Sequence, residues 1–147
     1  MEEIYTDPLR EFNQLYREVD ELYHRYAKAQ GISDMTLWLL YSLYEREGVY
    51  TQRELCAAWH CPPQTLNSAL KSLEAKGLIL LQTTDKNRKN KQVLLTEQGR
   101  AVAQSIIAPL MLAERRALQS LGEAEQAALL TLTRRYVELL QAQINGR

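Results

Sequence analysis

The chain has 147 residues, of which 46% are hydrophobic and 24% charged, with 18 basic and 18 acidic side chains. This composition is that of a globular domain long enough to bury a core, and it excludes disordered and collagen-like classes. The sequence holds no apolar run long enough to span a bilayer, and its acidic start lacks the order of a secretory signal, so we expect a cytoplasmic protein without membrane contact.

The zero net charge hides an uneven distribution along the chain. Residues 48–100 carry eight Lys and Arg against four Asp and Glu, whereas residues 1–47 carry five against ten. Residues 101–147 carry five against four. Since binding to nucleic acid depends on where cations cluster rather than on the total, the central segment is the candidate contact surface.

Two helices are predicted before this segment. Apolar residues recur at spacings of three and four over residues 8–30, and Gly31 ends this first helix. Residues 35–46 form a second helix, which Ser33 or Asp34 can cap. It is apolar nearly all round, so we expect it to be the central buried helix, and Tyr50 to add a short strand after it.

The central segment begins with a short helix and a turn. Thr51 can cap this helix, and Glu54, three residues later, completes a capping box. The helix ends near Cys61, because Pro62 and Pro63 lack the amide donor and disfavour a helical conformation in the preceding residue. The same prolines suit the first turn of a following helix.

The following helix, residues 63–76, has one apolar and one polar face. The apolar face consists mainly of leucines. The opposite face carries amide, hydroxyl and ammonium groups, which can pair with base edges in a major groove. Gly77 ends it. Residues 78–83 and 92–95 read as two strands that bracket a basic loop, residues 84–91, so the whole segment has the plan of a helix-turn-helix followed by a wing.

Two long helices are predicted after the wing. Thr96 caps a helix over residues 97–118, inside which Pro109 should bend or loosen one turn. Gly122 separates it from a last helix over residues 123–144. The fold class is therefore mainly α with a small β wing, in the order α-α-α-α-β-β-α-α.

Three runs of the sequence are specific enough to indicate a family: Leu-Glu-Ala-Lys-Gly-Leu-Ile from Leu73, Leu-Thr-Glu-Gln-Gly from Leu95, and Thr-Gln-Arg-Glu-Leu from Thr51. Through these runs the sequence resembles the MarR family of winged-helix transcriptional regulators over nearly its whole length. Asn67 and Ser68 depart from the family's Thr and Arg, and the wing lacks its usual Asp-x-Arg spacing. The resemblance implies one MarR-like domain, residues 1–147, with a DNA-binding lobe at 33–100 and dimerisation helices at 1–32 and 101–147.

The DNA contacts are predicted at the start of the first motif helix, on the polar face of the second and in the wing. These residues are Thr51, Gln52, Arg53, Gln64, Thr65, Asn67, Ser68, Lys71, Lys86, Asn87, Arg88, Lys89 and Lys91. The apolar stripes of the terminal helices exceed what one copy can cover, which favours a C2 homodimer on a pseudo-palindromic operator.

The family resemblance further implies a repressor that a small, often aromatic, ligand releases from DNA. The candidate ligand-binding residues are Tyr16, Tyr23, Trp38 and Tyr41. These aromatic side chains also suit an ordinary core. No cofactor is expected.

Two alternative functions stay open. Cys56, His60 and Cys61 form a candidate thiol or metal sensor, although their spacing matches no defined zinc pattern and Cys56 also suits a buried apolar site. The second alternative is a winged-helix module that binds another protein. The cationic wing argues against this alternative. An enzyme is not expected, because the sequence has no phosphate-binding Gly-rich loop and no nucleophile with a matched base.

Overall fold

The computed structural model describes residues 7–46, 50–84 and 87–146, and it describes the side chains of these residues except at 84 and 87–89. Its elements follow the predicted order. They are α1 (Pro8–Ala29), α2 (Asp34–Glu45), α3 (Gln52–Trp59), α4 (Pro63–Ala75), β1 (Ile79–Thr84), β2 (Asn87–Leu95), α5 (Glu97–Gln119) and α6 (Gly122–Asn145). The mainly helical fold with a small β wing is thus confirmed.

Helix ends are set by the residues that the sequence suggested. Ser33 caps α2 by accepting from the amide of Thr36, and Thr96 caps α5 by accepting from that of Gly99 at 2.9 Å. Gly31 and Gly77 have positive φ values of 74° and 75°, which end α1 and α4 at little steric cost.

The core of the first compact unit, Met1–Ile107, is built around α2. Leu37, Leu39, Leu40 and Leu43 of this helix are buried, as predicted for a central helix. The apolar backs of the helix-turn-helix and the strands are also fully buried, at Leu55, Leu66, Leu70, Leu73, Ile79 and Val93.

The wing is longer than the pattern predicted. β1 and β2 pair antiparallel from Ile79↔Leu95 to Gln82↔Gln92, and a register shift leads to the last pair, Thr84↔Asn87. The expected basic loop at 84–91 is therefore mostly strand. Asn and Lys are depleted in strands, so backbone pairing overrides local preference there.

An isolated β-bridge joins the wing to the residues just before α3. Thr51 forms an isolated bridge with Gln92, and the amide of Val93 donates to the carbonyl of Tyr50 at 2.9 Å. The strand expected near Tyr50 is thus a single bridge centred one residue later.

The second compact unit, Ala108–Arg147, holds the end of α5 and all of α6. Pro109 lies inside α5, which is one helix from Glu97 to Gln119. α6 has no buried residue among those described, and its leucines are exposed. Within the described part of the chain, no helix is both long enough and apolar enough to cross a bilayer.

Candidate nucleic-acid interface

The turn between α3 and α4 is fixed by several local contacts. Thr51 Oγ1 accepts from the amide of Glu54 at 3.2 Å and so starts α3. His60 ends it in a left-handed conformation with φ of 49°. Cys56 Sγ then donates to the carbonyl of Cys61 at 2.9 Å, and Pro63 opens α4. These constraints give the two helices a defined connection.

α4 separates its apolar and polar residues as predicted. Its buried back is formed by Leu66, Leu70 and Leu73, which are at most 1% exposed. The residues of the other face that are predicted to contact DNA are all exposed. They are Gln64, Thr65, Asn67, Ser68 and Lys71. The hydroxyl of Ser68 donates a hydrogen bond to the carbonyl of Gln64 at 3.0 Å. Its oxygen can therefore still accept a hydrogen bond from another group, such as a base.

The start of α3 borders the same surface. Arg53 is exposed and Gln52 half-buried. Both line a cavity of about 230 Å³, together with Pro63 and Asn67 of α4 and Asn90 of β2. The structure therefore brings residues from three predicted contact segments to one groove. Thr51 is half-buried, and its hydroxyl is used as the α3 cap.

Asn90 was absent from our predicted contact residues, although it ties the wing to α3. Its Oδ1 accepts from the backbone amide of Arg53 at 3.1 Å. This contact satisfies one of the amides that a helix start leaves without an intrahelical partner. The only sequence signal was an asparagine among cations, which does not by itself distinguish a DNA contact from an internal one.

The basic residues of the wing are described unevenly. Lys91 lies half-buried on β2. The backbone of Asn87, Arg88 and Lys89 belongs to the start of β2, and their side chains lie outside the described residues, as does Lys86 entirely. Their placement as DNA contacts stays a prediction.

The candidate ligand-binding residues divide into a cluster and one separate residue. Trp38 packs against Tyr23 with ring centroids 4.9 Å apart, and against Tyr41 at 5.7 Å. Trp59 of α3 is the fourth ring, at 5.4 Å from Trp38. Tyr16 lies about two helical turns before Tyr23 on α1 and is 63% exposed.

Trp59 was not among the candidate ligand-binding residues. Its indole Nε1 also donates to Ser42 Oγ at 3.0 Å. We name Tyr23, Trp38, Tyr41 and Trp59 the aromatic cluster. It links α1, α2 and α3, a connection that residue spacing within one helix cannot reveal.

The cysteine region offers little for a sensor. Cys56 and Cys61 are free thiols, and burial, followed by the neighbouring Cys56, raises the pKa of the Cys61 thiol. A raised pKa leaves less thiolate, which is the reactive and metal-binding form. Among the described residues, no group of three or more His, Cys, Asp or Glu side chains is arranged to hold a metal ion.

The MarR family model matches residues 30–89, which run from the end of α1 into β2. No protein of curated function matches the chain. The family resemblance that we predicted from the sequence is thus confirmed. Since this family consists of transcriptional regulators, the prediction that the chain is not an enzyme is also confirmed.

Solved structures with a similar fold include several MarR family proteins. A regulator from Neisseria meningitidis is 21% identical, with a TM-score of 0.80 over 95% of this chain and 98% of that chain. A Listeria monocytogenes protein assigned to the family, solved with a 26-mer DNA, is 27% identical, with a TM-score of 0.70 over 94% and 91%. MepR of S. aureus in complex with DNA is 19% identical, with a TM-score of 0.74 over 92% and 99%.

Proposed function

Because residues 30–89 match the MarR family and the chain has the MarR winged-helix fold, we propose that it is a sequence-specific DNA-binding transcriptional regulator, acting as a homodimeric repressor. The observation that carries this proposal is the polar face of α4. Exposed amide, hydroxyl and ammonium groups stand on a helix whose leucines are locked into the core. Such a helix can enter a major groove and pair with base edges.

The charge distribution supports the same role. The segment 48–100 has a surplus of four positive charges, while the rest of the chain is net negative. Asn90 connects the basic wing to the start of α3, so the wing is held beside the groove that Arg53 and Asn67 line. The cations of the wing would then follow the phosphate backbone while α4 reads bases. Similar proteins from Listeria monocytogenes and S. aureus have been solved with DNA, which agrees with this assignment.

A homodimer would cover the apolar stripes of the terminal helices. On α1, exposed apolar residues recur along one stripe, at Leu9, Phe12, Leu15, Tyr16, Val19 and Leu22. On α6 they include Leu129, Leu132, Leu139, Leu140 and Ile144, the last of which is 71% exposed. Continuous stripes of this length are unusual on a monomer. With C2 symmetry, two copies of α4 would face half-sites about one DNA turn apart, roughly 34 Å.

The aromatic cluster is the proposed effector region. Tyr23, Trp38 and Tyr41 offer flat apolar surfaces, and tyrosine hydroxyls at their edges can orient a polar group of a ligand. A small aromatic ligand that binds one arrangement of α1, α2 and α3 better than the DNA-binding arrangement would release DNA. Its effect is limited to its difference in affinity for the two arrangements.

Two measurements on the purified protein test this function. Fluorescence anisotropy with labelled duplexes should show binding that weakens steeply with salt, because wing cations release counterions from the phosphates. Sedimentation velocity should show a dimer. Weak, salt-independent association with DNA would contradict the regulator role and would favour a protein partner for the winged helix.

A further inference from the structure

The indole of Trp59 makes a specific polar contact with α2. Its Nε1 donates to Ser42 Oγ at 3.0 Å, and Ser42 is only 5% exposed. The rest of the buried face of α2 is leucine, so this hydroxyl would be costly without a partner. An indole at position 59 supplies that partner, whereas an aliphatic side chain would leave the hydroxyl without it.

Ring packing reinforces the contact. Trp59 lies 5.4 Å from Trp38 with an interplanar angle of 30°, and Trp38 in turn contacts Tyr23 of α1. Thus Trp59 fixes the end of α3 to α2 by a directional hydrogen bond and by ring packing, and it is linked to α1 only through Trp38. Because Trp59 is the last residue of α3, this anchor holds the end of the helix that leads into α4.

The chain between Trp59 and α4 has few soft torsions. His60 holds a φ of 49°, Pro62 a φ of −60°, and Pro63 is the first residue of α4. The Cys56 thiol closes the turn by bonding to the carbonyl of Cys61. No side chain among the described residues caps the start of α4, so its position depends on this connection rather than on a local bond.

From this geometry we propose that Trp59, through Ser42 and Trp38, is a positioning residue for sequence readout by α4. The inference rests on the proposed function and adds a residue that does not itself need to contact DNA. A displaced end of α3 would move Gln64 and Thr65 against the base edges. It would leave the wing, which attaches through Asn90 to the opposite end of α3, on the phosphates.

The test compares affinity for a selected operator duplex with affinity for a shuffled duplex of equal length, at two salt concentrations. The variants are Trp59→Phe, which keeps a ring but loses the donor, Ser42→Ala, and the double variant. Ser120→Ala is the matched control, because Ser120 follows the end of α5 and its hydroxyl donates to the carbonyl of Arg116, four residues earlier. Circular dichroism and thermal melting verify that each variant is folded, and Ser42→Ala remains informative if Trp59→Phe is not.

Each single variant should bind the operator about tenfold more weakly, the scale of one displaced base contact. Binding to the shuffled duplex should keep its affinity and salt slope. The double variant should lose no more than the singles, because all three remove the same bond. Equal losses on both duplexes, or no loss on either, would overturn the positioning role. A wild-type protein that selects no operator would instead overturn the proposed function, and the positioning role with it.

Discussion

The hydroxyl of Tyr26 in α1 donates a hydrogen bond to the backbone carbonyl oxygen of Ile106 in α5, 80 residues further along the chain. This bond holds α1 against the α5 segment that closes the first compact unit. Burial raises the pKa of Tyr26 above the ordinary value of a tyrosine. The fold therefore favours the neutral phenol, which is the form that can donate.

Replacing Tyr26 with Phe should lower the free energy of unfolding by about 1 kcal/mol at neutral pH, the usual net value of one hydrogen bond. A group whose pKa is raised by folding stabilises the fold below its unfolded pKa, and this contribution is lost as the pH rises through the folded pKa. Wild-type stability should thus fall above about pH 10, and the variant should fall less.

Urea denaturation of the wild type and the variant at about pH 7, 9 and 11 measures both effects. The other tyrosines and the lysines titrate equally in the two proteins, so their contribution cancels in the difference between them. Tyr16→Phe is the matched control, because Tyr16 is 63% exposed. A Tyr26→Phe variant whose stability declines with alkaline pH as steeply as the wild type would refute the role of this hydroxyl.

Gly99 lies where α5 passes the backbone beyond α4. A Cβ atom placed on it would stand 1.8 Å from the carbonyl oxygen of Leu78. Because the obstacle is backbone, Gly99→Ala should destabilise the fold by about 3 kcal/mol or more. Gly31→Ala has free space around its Cβ and only a strained φ of +74°, so it should cost about 1 kcal/mol. Chemical denaturation of both variants gives the comparison, and similar losses would argue against the close approach at Gly99.

The wing is expected to contact phosphates rather than bases. The double change Arg88→Ala and Lys89→Ala should weaken binding to every sequence alike and lower the slope of log K against log salt by roughly 2. Anisotropy titrations over a salt series measure the slope. If the slope is unchanged, the wing does not take part in DNA contact.

Asn67 is expected to read a base. Its side chain is exposed on α4 and borders the groove at the start of α3. Asn67→Ala should cost about 1–3 kcal/mol on the preferred operator and little on random DNA. Competition binding with the two kinds of duplex separates these effects. Equal weakening on both would reassign Asn67 to backbone contact or to stability.

The apolar stripe of α6 is expected to form the dimer interface. Leu132 and Ile144 are 63% and 71% exposed in a single chain. Changing both to Glu should convert the dimer into monomers, because two charges on each copy would be buried in an apolar interface. Leu80→Glu, on a β1 residue that is 57% exposed, is the control that should remain dimeric. Sedimentation velocity decides, and a double variant that stays dimeric would place the interface elsewhere.

Local chemistry made most of the fold predictable. Thr51, Ser33 and Thr96 mark helix starts, and Gly31 and Gly77 mark helix ends, because each acts through atoms a few residues away. The leucines of α4 indicated which face is buried. The spacing of apolar residues, together with these starts and ends, predicted the order of the elements.

Contacts between distant segments were not predictable in the same way. Asn90 was read as part of a basic loop, but its partner is a backbone amide 37 residues earlier in the chain. Trp59 was not among the predicted site residues, because its hydrogen bond to Ser42 requires the packing of α3 on α2. The extent of β2 was missed because backbone pairing, rather than its polar residues, makes it a strand.

The most direct test of sequence-specific binding through α4 is selection of DNA by the purified protein from random genomic fragments, followed by sequencing. Repeating it at two salt concentrations separates specific from electrostatic retention. A dimeric regulator should enrich one near-palindromic sequence with half-sites about one helical turn apart, and the higher salt should sharpen this enrichment. Retention without any enriched sequence, or no retention at either salt, would contradict a dimeric regulator that reads DNA through α4.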